Sequence, residues 1–281
     1  LPDGQVGFMY ARPSITGNDA FDAGGMKFTV IEPFKRLKST YQGKVCLLKN
    51  PLDMADPKRA FRENPLVDCE LDIEYCGVSP MHGGEPVNED GTPIPQIAEN
   101  AFLRGHYEQH MGGKGFFRVD GKKYEVDGFG VRDHSWGPRY WQSIHWYRWL
   151  PMNFGKDFGM RVSIVSEAQG SLIVRGMVLR RNEYVDIVDA NVKTVWDEND
   201  YQTAFQCWVK TEEREYRVDA RVLSLIPLRN RRQTPEGEWL NTRITEGMTE
   251  YRCEGQVGYG MSEYLDQIVD GKAVGKAAAG E

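Results

Sequence analysis

Between Glu215 and Val222 polar and apolar residues alternate without a break: Tyr216, Val218, Ala220 and Val222 hold one phase, Glu215, Arg217, Asp219 and Arg221 the other. A repeat of two puts the apolar side chains on one face of an extended strand and the charges on the opposite face, the pattern of a sheet with one wet side. Shorter runs of this kind recur at 5–11, 27–32, 44–48, 67–75, 116–119, 171–179, 184–195 and 204–209, most of them bounded by turn residues. Asp120-Gly121, between Phe117-Arg118-Val119 and Tyr124-Glu125-Val126, supplies the positive φ angles that a two-residue hairpin needs. Helix signals are confined to 53–63 and 262–269, two or three turns each, with Ser262 as a cap. The expectation is an all-β protein, a barrel or sandwich with short helical decorations.

A chain of 281 residues exceeds one small core, so two domains are expected, at 1–145 and 146–281. Hydrophobic residues at 40% and charged ones at 27% are those of an ordinary soluble domain able to bury a core, which excludes a disordered chain. The net charge of −6, with Lys and Arg spread along the sequence, leaves no footprint for nucleic acid. Arg229, Arg231 and Arg232 lie between Pro227 and Pro235 and read as a solvated loop. No run of about 18 apolar residues spans a bilayer and no basic-then-apolar leader opens the chain, so a cytoplasmic location is expected. The start at Leu1-Pro2-Asp3-Gly4, a turn sequence without Met, raises the expectation that an N-terminal segment has been trimmed or left out. Cys46, Cys69, Cys76, Cys207 and Cys253 are odd in number and form no CxxC pair, so they read as reduced core residues. The loop 79–95 is rich in Pro and Gly and could cover a pocket mouth; its His82 reads as solvated. The Ala/Gly/Lys-rich tail from 271 to 281 is expected to fray.

Chemistry concentrates in 128–149, GFGVRDHSWGPRYWQSIHWYRW. Trp136, Tyr140, Trp141, Trp146, Tyr147 and Trp149 crowd around Asp133, His134, Arg139 and His145. Such rings supply rigid apolar area and faces that stabilise a cation, which suits a flat or isoprenoid-like ligand; inter-sheet core is the alternative. Asp133 and His134 are two titratable groups in apolar surroundings, but on a strand they point to opposite faces unless Gly137-Pro138 turns the chain. A structural Asp that hydrogen-bonds the backbone or Arg139 to pin that turn is the alternative. His106, Glu108 and His110 share one strand face. They span about 13 Å, too far for one metal to take all three, so a polar pocket wall is preferred to a metal site. Near the end, Glu263 and Tyr264 approach the pocket, or the segment merely closes the last barrel. No nucleotide loop, serine elbow or activated cysteine is present, and no cofactor is expected.

HYEQH at 106–110, Val119-Asp120-Gly121, GFGVRDHSWGPR at 128–139 and GYGMSEYLDQ at 258–267 resemble bacterial proteins similar to the carotenoid 1,2-hydratase (hydroxyneurosporene synthase) and AttH-like superfamily. The resemblance implies two tandem lipocalin-like β-barrels or curved antiparallel sheets that hold one lipophilic ligand. It also implies chemistry based on proton transfer and cation stabilisation.

Together these point to a cofactor-independent lyase or hydratase acting on a lipophilic isoprenoid or aromatic small molecule. Asp133 would be proton donor or acceptor, with His134 or His110 as its partner. Glu108 or His134 would take the acid role if Asp133 and Arg139 pair tightly. Trp136, Arg139, Tyr140, Trp141, His145 and Trp146 would bind substrate, no metal is assigned, and the chain could form a homodimer. A lipocalin-like carrier of a hydrophobic ligand is the alternative from another class.

Overall fold

The computed structural model describes residues 1–9, 13–14, 21–88, 90–94, 101–167 and 171–278. The N-terminal half forms an open antiparallel sheet of eight strands: β1 (Val6–Met9), β2 (Asp22–Ala23), β3 (Met26–Glu32), β4 (Arg36–Leu48), β5 (Leu66–Gly77), β6 (His82–Gly84), β7 (Gly105–Val119) and β8 (Lys122–Trp136). A 3-10 turn, Pro51–Ala55, and a short helix α1 (Pro57–Glu63) separate β4 from β5. The spine is β2-β3-β4-β5-β7, with β8 on the free side of β7 and β1 and β6 adding to β4 and β7. The chain passes to the second unit between Trp136 and Ile144.

That unit is a meander of β9 (Ile144–Asn153), β10 (Phe158–Glu167), β11 (Leu172–Arg180), β12 (Glu183–Trp196), β13 (Gln202–Thr211), β14 (Glu215–Gln233), β15 (Trp239–Cys253) and β16 (Gln256–Val269). Each strand pairs with the next and β16 returns to β9, so the ring closes as an eight-stranded antiparallel barrel. Closure removes the exposed edges that an open sheet of this length would present. The protein is all-β and lipocalin-like.

The alternation at 215–222 is realised: Tyr216, Val218 and Ala220 are buried in the barrel core and Glu215, Arg217, Asp219 and Arg221 are exposed. The interior is filled by Leu150, Met152, Met160, Val162, Val218, Tyr251 and Tyr264, each at most 1% exposed. Burying such side chains contributes roughly 1.5–3 kcal/mol apiece before chain entropy is counted. Polar contacts share this interior, among them Arg148 with Asp266, Thr194 with Tyr264, and Thr249 with Ser262. In the sheet, Asp120 and Gly121 take φ of 49° and 77°, and the hairpin aligns β7 with β8 over their full lengths.

Several sequence expectations fail. Residues 262–269 are the end of β16, not a helix: Ser262, Tyr264 and Asp266 face the barrel interior while Leu265 is buried on the other side. A strand covered on both faces loses the wet phase that reveals it in sequence. The tail does not fray over its described part. Lys272–Ala273 (β17) pairs with β16, a helical turn α2 (Val274–Ala278) follows, and the Gly275 amide donates to Asp266 Oδ1 at 2.8 Å; residues 279–281 lie outside the described set. Arg229, Arg231 and Arg232 are exposed, but on β14 rather than in a loop. Cys76 is exposed rather than a core residue. The expected loop 79–95 carries β6, laid against β7; its Pro95 lies outside the described residues, as do Tyr10 and Ala11 of the first expected strand.

Candidate functional site

The sheet lies against the outer wall of the barrel, and β7 makes the contact. Glu108 is fully buried there: Trp149 Nε1 donates to Oε1 at 2.7 Å and Arg161 of β10 forms an ion pair with the other oxygen. His110 is buried two residues on, with Nδ1 3.1 Å from the Tyr184 hydroxyl. That hydroxyl is itself 2.5 Å from Ser79 Oγ. Burial, with Arg161 nearby, pushes the His110 imidazole down to about 4, so it is neutral at physiological pH. These groups pin sheet to barrel.

Beside this contact lies a cavity of about 770 Å³, within the range of small-molecule sites. The sheet contributes Phe28, Val30, Leu37, Ile73, Met111 and Phe129, and the barrel wall contributes Trp149, Met261, Glu246 and Glu263. Glu246 and Glu263 are directly opposed partners on β15 and β16, and Trp149 on β9 is opposed to Glu263 from the other side. Register therefore sets two carboxyls and one indole in a single row.

Glu263 accepts a hydrogen bond from the Tyr147 hydroxyl. Burial pushes its carboxyl up to about 7; repulsion from Glu246 and Asp133 adds to this, while the Tyr147 bond and Arg139 oppose it. Burial also raises Glu246, and it raises the Tyr147 phenol well above its ordinary range, with Glu263 reinforcing. Two adjacent carboxyls thus share a wall where full ionisation is costly, so a proton is retained near neutral pH.

Asp133 and His134 occupy alternate phases of β8, opposed to Glu108 and Tyr107 of β7, yet both line this one cavity rather than only one of them reaching it. Asp133 is opposed to Glu108 and contacts His106, with Nε2 2.5 Å from Oδ1. His134 is opposed to Tyr107, whose hydroxyl lies 3.1 Å from its Nδ1, and burial and then Arg132 lower its basicity. The expected Asp133–Arg139 pair is not formed, because Arg139 instead donates to Ser135 Oγ at 2.6 Å and covers the Phe102 ring. Glu108 and His110 share a face with His106, as the spacing requires, but sit at the buried contact rather than on the cavity lining.

The aromatic run disperses. Trp136 packs on Tyr107 and His134 and donates to Glu85 at 2.9 Å, while Trp141 joins Phe102 and Ile144 in a separate cluster. Trp146 packs against the barrel core with Arg148 over its ring, and Tyr140 lies under Arg232. His145 is half-buried on β9. Among the described residues, none of these, nor Arg139, is part of the cavity lining; Trp149 is the tryptophan that is. Of the two residues read as approaching the pocket, Glu263 lines the cavity and Tyr264 turns into the barrel core, while β16 also closes the barrel. Glu246 was not legible: nothing local in TRITEGMTEY distinguishes it from a solvated strand residue.

An open antiparallel sheet on a closed eight-stranded barrel, with a cavity of small-molecule size bearing a carboxyl pair, defines a lipocalin-like all-β protein. The chain belongs to the family described as a domain of unknown function, DUF7064, whose model matches residues 1–268. No curated protein matches the sequence. Among solved structures, the chain is similar to CghA with Sch210972, at 12% identity over 85% of this chain and 73% of that one, with a TM-score of 0.46. It is also similar to CghA alone, at 12% identity over 87% and 74%, with a TM-score of 0.41. An AttH candidate from Nitrosomonas europaea matches at 10% identity over 82% and 80%, with a TM-score of 0.44.

Proposed function

We propose that the protein is an acid–base lyase or hydratase acting on a lipophilic isoprenoid or aromatic small molecule in this cavity, with Glu263 moving the proton. The observation that carries this reading is the Glu263 carboxyl, on the cavity wall and raised to about 7. An acid that retains its proton near neutral pH can deliver it to a substrate carbon and take one back. Protonation of a double bond leaves positive charge on the neighbouring carbon, which the face of Trp149 can stabilise. Water then adds to that carbon and releases a proton to the Asp133–His106 pair; elimination runs through the same groups in reverse. The proton role thus moves from Asp133, already held by His106, to Glu263, while Asp133 keeps that of partner base.

The test is a native mass measurement with pooled isoprenoids and lignin-type aromatics, reading bound mass and product mass together. A product, lost by at least about a hundredfold in Glu263→Gln with ligand binding retained, supports the reading. An unchanged bound ligand identifies a carrier, and full turnover in Glu263→Gln removes that residue from the mechanism.

A further inference from the structure

The charged side chains lining the cavity are satisfied, or inclined to neutrality, with one exception. Lys38 is 2.8 Å from Asp72, Asp133 is held by His106, and Glu246 and Glu263 sit where burial favours their protonated forms. Arg132 is the exception. It lines the cavity from β8, yet among the described residues no carboxylate, carbonyl or hydroxyl accepts from its guanidinium. Its contacts are the Tyr107 ring, 4.7 Å from the guanidinium carbon, and the Phe34 ring at 5.9 Å. Two residues along β8, His134 also lines the cavity, and burial and then the Arg132 charge lower its basicity.

A guanidinium stacked on a ring keeps its N–H donors in the plane, where they match the two oxygens of a planar carboxylate or two of a sulfonate. Such a group, beside an otherwise apolar wall, is arranged for a ligand with one charged end. We propose that Arg132 anchors an anionic group of the ligand, so that the cavity selects lipophilic monoanions over neutral molecules of the same shape. This deepens the reading of the cavity as a ligand site and does not depend on proton transfer by Glu263. A cationic ligand, the other choice a carboxyl pair suggests, would meet Arg132 as a fixed like charge, whereas the carboxyls can stay protonated to admit an anion.

Two fluorescent probes test this in the intact protein: anilinonaphthalene sulfonate, an apolar monoanion, and phenylnaphthylamine, the same frame without the sulfonate. The wild type should bind the sulfonate at least about tenfold tighter than the neutral amine, and Arg132→Gln should erase that preference while leaving amine affinity unchanged. Arg231→Gln, which removes an exposed charge outside the cavity lining, should leave both affinities unchanged. Sulfonate affinity in Arg132→Gln within about twofold of wild type, or a wild-type preference for the amine, overturns the anchor. Should Arg132→Gln lose both probes, Arg132→Lys decides: a kept sulfonate preference supports the anchor and a lost one overturns it. Glu263→Gln should keep the preference. If Glu263→Gln retains full turnover, the acid–base reading fails while the anchor stands.

Discussion

Replacing Glu263 by Gln removes one titrating group while preserving volume and the acceptor for the Tyr147 hydroxyl. In the wild type the carboxyl is raised from its ordinary 4.5 to about 7. Between those pH values the folded protein holds a proton that the unfolded chain has released. Stability from this group therefore falls as pH rises through that window, and the loss is complete above about 7. At 1.4 kcal/mol for each tenfold change, the full window amounts to about 3 kcal/mol. The amide has no such slope. Urea unfolding of both proteins, followed by tryptophan fluorescence across the pH range, gives the difference between them and cancels the other titrating groups. The Glu263→Gln protein should gain about 3 kcal/mol on the wild type between about pH 4.5 and pH 8. A difference that stays flat to within about 0.5 kcal/mol would refute both the buried-acid assignment and the proton role built on it.

Three further outcomes follow from the same geometry. Glu246→Gln removes a negative neighbour that raises Glu263, so the Glu263 midpoint, read by carboxyl carbon NMR, should move down toward 4.5; an unmoved midpoint would mean that the two groups do not interact. Glu108→Gln leaves Arg161 buried without its counter-charge and should cost about 3–5 kcal/mol in urea unfolding. His110 is held neutral by burial, at about 4 against its ordinary 6.5, so the unfolded chain binds the extra proton and stability is lost as pH falls through that window. The loss should reach about 3 kcal/mol and its slope should be missing in His110→Gln, as measured by acid titration of the fold.

Much of the β architecture was legible because alternation and turn chemistry are local. The 215–222 phase and the Asp120-Gly121 hairpin each depend on a few neighbouring residues, and both are formed as written. Legibility failed where burial covers two faces. The end of β16 reads as a short helix because its Ser, Tyr and Asp look inward to polar partners, while Glu263 and Leu265 are covered from outside. The aromatic run was legible as unusual, yet its rings divide among several environments: adjacent residues on β9 alternate between barrel interior and outer wall, and Trp136, Tyr140 and Trp141 precede that strand.

The candidate site shows the same division. Sequence spacing alone placed His106, Glu108 and His110 on one face and set Asp133 and His134 on opposite faces, because both follow from the two-residue period of an extended chain. Tertiary structure decided the rest. It gave Asp133 to His106 rather than Arg139, sealed Glu108 against Arg161, left Arg132 on the cavity wall over the Tyr107 and Phe34 rings, and brought Glu246 opposite Glu263. These outcomes depend on strand register, on closure of one sheet and on its contact with the other. All three are long-range pairings whose free energies are summed over the whole ladder, and no single segment encodes them.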